Sequence, residues 1–204
     1  MPPGPIPPGL SAPGLSAPAG SAWWMLIAGA TGLIASITLT VEKIQRLLDP
    51  SYVPSCNINP ILSCGSVMTN PQASLFGVPN PLLGIVGFTV VIVTGVLSLA
   101  RLSLPRWYWA GLTAGLLLGA AMVHWLIFES LYRIGALCPY CMVVWVVTVT
   151  LLVVVATILL RPYAENHTAM RLLLDWRWSL VTFWLTGVVV LILVRFWDYW
   201  STLV

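Results

Sequence analysis

Apolar residues along this chain come in long unbroken runs, without the alternation of a strand or the one-sided stripe of a surface helix. Five runs stand out, over residues 23–41, 81–100, 107–128, 138–160 and 178–197. A helix rises about 1.5 Å per residue, so about 20 apolar residues cross the roughly 30 Å hydrocarbon layer of a bilayer. Each run is near that length and predicts a membrane-spanning helix. The first continues as helix to Asp49, where "DPSYVP" stops it, because a residue before proline is pushed out of helical conformation. Tryptophans cluster at the run ends (Trp23, Trp24, Trp107, Trp109, Trp176, Trp178, Trp197, Trp200), as expected of side chains with one apolar and one wet face. Gly111, Gly115 and Gly119 recur at four-residue spacing, a stripe expected to let another helix pack closely.

The polar segments are equally informative. Residues 1–22 consist mostly of Pro, Gly, Ala and Ser, repeat "GLSAP", and carry no charge, which predicts a disordered tail. They lack the basic start of a signal peptide. Residues 42–80 form a long loop whose apolar patches (Ile61, Leu62; Val67, Met68; Leu75, Phe76, Val78) are too short to span a bilayer. A short interfacial helix lying over the end of the bundle fits them, with Cys56 mobile in the segment before it. Residues 161–177 read as a connection with a partly amphipathic end, and 178–204 as a fifth spanning helix and C-terminus.

Composition settles the class. The chain is 59% hydrophobic and 7% charged, against about 25% charged in an ordinary soluble domain. This surface must face lipid. The net charge of +3 is spread over the loops, which argues against a nucleic-acid surface. Of the nine Lys and Arg residues, Arg101, Arg106, Arg161, Arg171 and Arg177 fall on one side of a five-helix topology, and Lys43, Arg46, Arg133 and Arg195 on the other. The positive-inside rule then places the N-terminus in the cytoplasm.

All four cysteines fall on the opposite, extracytoplasmic side, where disulfides persist. Cys56 and Cys64 lie in the long loop; Cys138 and Cys141 form "CPYC" at the start of the fourth helix. Pro139 suits the first helical position, which puts Cys138 at the helix cap, beside unpaired N–H groups that lower a thiol's pKa. Cys141 lies one turn further in, towards the apolar interior. A CxxC is also half of a zinc site, but nothing else in the loops ties a closed tetrahedral centre together. As a structural staple its ring is too small to constrain much unfolded chain. His124, inside the third helix, reads as a neutral imidazole bonded to a neighbouring helix. Glu129 with Arg133, and Arg195 with Asp198, read as interfacial ion pairs.

These features resemble the vitamin K epoxide reductase family, in particular its bacterial members that drive disulfide formation. The resemblance rests on Cys56 and Cys64 in the first exported loop, on "SCGSVMTNPQASLFGVPNPLLG", and on CPYC at 138–141, and it covers residues 23–160. It implies an all-α integral membrane protein: a four-helix bundle around a quinone, one extra helix, and an exported loop (42–80) whose half-buried helix caps the quinone pocket. It implies that Cys138 and Cys141 are the quinone-proximal pair, with Cys141 contacting the cofactor. Cys56 and Cys64 become the shuttle pair, Cys56 exchanging with an external thiol and Cys64 attacking Cys138. Asn80 matches a family asparagine that hydrogen-bonds a quinone oxygen, and Asn followed by Pro is also a good helix start. Trp145 stands where vertebrate enzymes carry tyrosine; it supplies an aromatic wall and one N–H but no phenol proton chemistry.

The implied activity is oxidation of an extracytoplasmic thioredoxin-like partner, with two electrons passing through both cysteine pairs to menaquinone, ubiquinone or phylloquinone. The bacterial inner membrane is the implied location. The family's frequent fused thioredoxin-like domain is absent from the 204 residues, so the partner is expected to be a separate polypeptide. Two rivals predict different behaviour: a vitamin-K-type epoxide or quinone reductase using thiols only as donors, and a non-catalytic membrane scaffold braced by disulfides.

Overall fold

A computed structural model describes residues 14–70, 73–75, 77–164 and 167–202 of the chain. Residues 1–13 of the expected tail, and Phe76 of the loop patches, lie outside the described residues. Five helices are long and apolar enough to cross a membrane. They are α1 (Ala19–Leu48), α3 (Asn80–Leu99), α4 (Arg106–Phe128), α5 (Pro139–Ala164) and α7 (Arg177–Arg195). Shorter elements fill the connections: α2 (Cys64–Met68), a two-stranded hairpin of β1 (Ser74–Leu75) and β2 (Val78–Pro79), α6 (Thr168–Asp175) and α8 (Trp197–Trp200).

The core is shared by four helices. Met25 and Ala28 of α1, Phe88 and Val91 of α3, Trp109 and Leu116 of α4, and Leu151 and Val155 of α5 meet in one buried cluster. The closest pairing is α1 with α3, and glycine makes it so. A Cβ added at Gly29 would sit 2.9 Å from Ile92, one at Gly32 2.5 Å from the Phe88 ring, and one at Gly84 2.4 Å from the Ser36 hydroxyl. Small residues let two backbones approach and gain dispersion contacts that lipid cannot supply. The stripe singled out in the sequence, Gly111, Gly115 and Gly119, does something else. A Cβ at Gly111 or Gly115 meets nothing within 4 Å, and one at Gly119 meets only Thr148. Gly111 and Gly115 thus face a cavity, and Gly119 lines it beside Thr148 of α5.

Other sequence expectations shift at their edges. Residues 14–18 precede α1 as extended chain in which Leu15 pairs with Leu104 in the α3–α4 loop (N–H to O, 2.8 and 3.1 Å), while the Trp109 indole donates to the Leu15 carbonyl. Helix α1 is therefore docked at the end of the bundle remote from the cysteines. At 30 residues it is about 45 Å long, longer than the hydrocarbon layer is thick, so one end stands clear of it. The long loop between α1 and α3 forms only five residues of helix, α2, before the hairpin takes over. Lys43 of α1 holds that hairpin through the Ala73 carbonyl (3.1 Å) and the Ser74 hydroxyl (2.7 Å). Helix α4 runs into a π-helical turn, Glu129–Ile134, ended by Gly135 at φ 69°, a conformation glycine adopts without steric cost. Glu129 and Arg133 pair there at 3.6 Å. Arg195 does not pair with Asp198; its Nε donates to the Leu131 carbonyl at 2.9 Å. That carbonyl lies in the π-helical turn, where a widened helix leaves acceptors for outside donors.

Candidate active site

Two strands of backbone bring the cysteine pairs together. The Leu137 N–H donates to the Ile61 carbonyl at 2.7 Å, and the Ser63 N–H to the Leu137 carbonyl at 2.9 Å. This is a parallel bridge between Leu62 and Leu137. Each partner segment then turns straight into a helix, α2 from Cys64 and α5 from Pro139, so Cys64, two residues past Leu62, and Cys138, one past Leu137, end side by side. Their sulfurs are 3.1 Å apart. The loop is tied for this register. Asn59 Oδ1 accepts from the Ile61 and Leu62 N–H groups (3.0 and 2.7 Å), and Asn57 Oδ1 from the Gly65 N–H (3.0 Å). Ser63 caps α2 through the Ser66 N–H. Short polar side chains that bond nearby backbone are what hold such turns.

Cys56 and Cys64 are joined as a disulfide, Cα to Cα 5.7 Å, while Cys138 and Cys141 are free thiols. Cys138 stands before the first residue of α5, as its spacing to Pro139 implied, and its sulfur accepts the Cys141 N–H at 3.4 Å. A hydrogen bond from the Cys141 side chain, helped by backbone N–H groups, holds the Cys138 thiol below the ordinary cysteine value despite its burial. A depressed pKa raises the thiolate fraction and improves the sulfur as a leaving group. The expected mobility of Cys56 is not what the fold provides. Cys56 is 4% exposed and packs with Leu39, Cys64 and Cys138.

Beside the free thiols a cavity of about 850 Å³ runs into the bundle. Cys138, Cys141, Trp145 and Thr148 line it from α5, Asn80, Gly84 and Gly87 from α3, and Gly111, Gly115, Gly119 and Ser130 from α4 and the turn beyond. Lys43, Val67 and Met68 close the end near the cysteines. Both residues expected near a cofactor, Asn80 and Trp145, are therefore on its wall. Asn80 opens α3, with Pro79 at the cap and Pro81 in the first turn. Trp145 is buried, its other neighbours being Val123, Ile127, Leu131 and Leu137. The walls are mostly apolar, with glycine and aliphatic surface and a few polar side chains, among them Lys43, Asn80, Tyr108, Ser130 and Thr148, the usual make-up of a site for an apolar cofactor with polar substituents.

Several side chains of the site were not singled out in the sequence. Glu42, 5% exposed on α1, accepts from the Tyr52 hydroxyl, the Ser55 N–H and the Ser55 hydroxyl. Its one sequence signal was an acid at the end of an apolar run, a place where burial demands partners. His124 behaves as read. Its Nδ1 bonds the Ala120 carbonyl at 2.7 Å, and Trp184 of α7 donates its indole N–H to Nε2 at 2.8 Å. An indole only donates, so Nε2 accepts and the proton sits on Nδ1. Together with Arg195 on Leu131, this pins α7 to the cysteine-bearing half of the bundle, where Ile192 packs in one cluster with Trp145.

A polytopic bundle with a disulfide in sulfur–sulfur contact with a free CxxC, beside an apolar cavity, is a membrane redox protein. Residues 23–156 match the family model described as the vitamin K epoxide reductase family, and the chain belongs to that family. Family membership makes it an oxidoreductase of a kind that in general uses quinones. No curated protein matches the chain.

Proposed function

We propose that this protein oxidises the thiols of a separate thioredoxin-like protein outside the cytoplasm and delivers the electrons to a membrane quinone. The observation that carries the reading is the 3.1 Å contact between Cys64 and Cys138. Thiol–disulfide exchange needs an attacking sulfur in contact with the sulfur it attacks, and this contact joins the outer pair to the inner one. The partner's thiolate attacks Cys56, forming a mixed disulfide and releasing Cys64. The partner's second thiol then frees Cys56 and leaves with the disulfide. Cys64 attacks Cys138 of an oxidised Cys138–Cys141 pair and releases Cys141 as thiolate. Cys56 attacks Cys64 in turn, restoring the Cys56–Cys64 disulfide and leaving Cys138 and Cys141 reduced. That last arrangement is the one the structure has.

A bound quinone supplies the two-electron, two-proton acceptor that reoxidises the inner pair. Cys141, on the cavity wall, presents the sulfur nearest that acceptor, Asn80 orients a ring oxygen, and Trp145 forms an aromatic wall. The cysteines lie outside the cytoplasm and the N-terminus inside, as the basic loops suggest. The test is quinone reduction by the purified chain with a reduced thioredoxin-like protein as donor. Alanine at Cys138 or Cys141 is expected to abolish turnover with any donor. Alanine at Cys56 or Cys64 is expected to abolish it with the protein donor while sparing a small dithiol that reaches Cys138. Normal turnover in Cys141→Ala would sink the reading.

A further inference from the structure

The outer disulfide is sealed: Cys56 is 4% exposed and Cys64 0%. A protein thiol attacks along the line of the sulfur–sulfur bond and cannot do so through packed side chains. Leu39, Val67, Met68, Tyr140 and the inner cysteines pack around the pair, and the chain enters it through residues 51–55, of which Pro54 is fully buried. Apart from local turn bonds within 49–57, every hydrogen bond from residues 51–55 to the rest of the described chain ends on two α1 side chains. Glu42 takes the Tyr52 hydroxyl at 3.0 Å, the Ser55 N–H at 3.3 Å and the Ser55 hydroxyl at 2.5 Å. Arg46, one turn along, donates to the Tyr52 carbonyl at 3.0 Å.

We propose that Glu42 and Arg46 form a latch that holds residues 51–55, and with them Cys56, in the buried position, and that the latch must open before any reductant reaches Cys56. A buried carboxylate with three donors is strongly held, but all three come from one short segment, so they break together when it lifts. Apart from the buried Pro54 ring the segment has few other ties: Val53 is 68% exposed, and Ser51 bonds only Asp49, two residues away. Short, locally bonded stretches of this kind open at far lower free energy than the fold as a whole. Glu42 and Arg46 are thus positioning residues for the outer disulfide, acting through Tyr52 and Ser55. The inference rests on reading Cys56 as the sulfur met first by the donor.

The test uses the full chain in detergent or nanodiscs, with tris(2-carboxyethyl)phosphine as probe and no quinone. The phosphine attacks one sulfur, gives up an electron pair, takes the oxygen of water as it becomes the oxide, and leaves two thiols. Alkylation and peptide mapping then report Cys56 and Cys64 separately from Cys138 and Cys141. Tyr52→Phe, Ser55→Ala and Glu42→Gln are compared with the parent chain. A lost hydrogen bond to a charged group should raise the open fraction, and with it the reduction rate, about tenfold or more. Thermal midpoints should fall by no more than the few degrees that one lost hydrogen bond accounts for, and all chains should react alike once unfolded in denaturant. Rates within twofold of the parent in all three variants would overturn the latch. So would equal acceleration in Trp184→Phe, which loses a hydrogen bond away from the latch, because that is global unfolding. Should Glu42→Gln fail to fold, the two lighter variants still decide. The readout needs neither partner nor quinone, so a failed relay leaves this result standing, and a failed latch leaves the relay standing.

Discussion

Two alanine substitutions of the same chemical kind should push this protein in opposite directions. At Gly32 an added Cβ would lie 2.5 Å from two atoms of the Phe88 ring and 2.8 Å from a third. Phe88 is itself buried against α1 and also lines the cavity, so either the ring is pushed into that space or the helices part. Overpacking of that sort costs about 1–3 kcal/mol, and the tightness of this contact puts Gly32→Ala in the upper part of that range. Replacing glycine by alanine in a helix returns about 1 kcal/mol, leaving a net loss of about 1–2 kcal/mol. At Gly115 the same Cβ meets nothing within 4 Å, so only the helical gain of about 1 kcal/mol remains. The two variants should thus differ by about 2–3 kcal/mol, or about 4–12 °C in thermal midpoint for a chain of this size. Unfolding of both in one detergent, followed by circular dichroism, measures the gap. A larger side chain extends the comparison to function. Gly115→Leu places a branched chain in the cavity and should raise the KM for quinone several-fold, while phosphine reduction of Cys56–Cys64 stays as in the parent. Equal midpoints for the two alanine variants, or an unchanged KM in Gly115→Leu, would refute the assignment of close packing to Gly32 and of cofactor space to Gly115.

Two further outcomes follow from single contacts. Trp184→Phe keeps an aromatic ring but removes the one donor to His124 Nε2 among the described residues, a bond between spanning helices worth about 0.6–2 kcal/mol; the thermal midpoint should fall accordingly, and His124→Phe combined with it should recover part of the loss. The Cys138 thiol is held below its ordinary value first by the Cys141 side chain, so its thiolate persists as pH falls below the usual cysteine range and disappears only through that lowered value. Cys141→Ala should move the pH midpoint of Cys138 modification by a small methanethiosulfonate upward, whereas Cys141→Ser, which keeps a donor, should move it less; equal profiles would discard the hydrogen bond as the cause.

The transmembrane plan was open to inspection because bilayer thickness dictates it. Five apolar runs became five spanning helices with ends displaced by a few residues, and the CPYC opened a helix where Pro139 allowed it. Periodicity does not say what a helix face meets. Glycines at four-residue spacing read as a packing stripe on α4, yet the packing glycines are Gly29, Gly32 and Gly84, at less regular spacing on α1 and α3. Spacing reports which residues share a face. Only the partner's shape tells whether that face is filled by a helix or left as a cavity wall. The same limit hid Glu42. Nothing local marks it as the acceptor for Tyr52 and Ser55, ten and thirteen residues later, because the return of the chain over α1 is a tertiary event.

The four sulfurs show how such an event is built from weak local choices. Asn59 closes a turn on Ile61 and Leu62; the π-helical turn and Gly135 reverse the chain after α4; two backbone hydrogen bonds then lock Leu62 beside Leu137. None of these involves a cysteine, and each contributes about 0.5–1.5 kcal/mol. Their sum fixes a sulfur–sulfur distance of 3.1 Å between residues 74 positions apart. The proposed exchange depends on that register, since a slip by one residue in either strand would turn one of the two sulfurs away from the other. The contacting pair is thus positioned by main chain, which lets its sulfurs change partners, as the proposed relay requires, without dismantling what holds them.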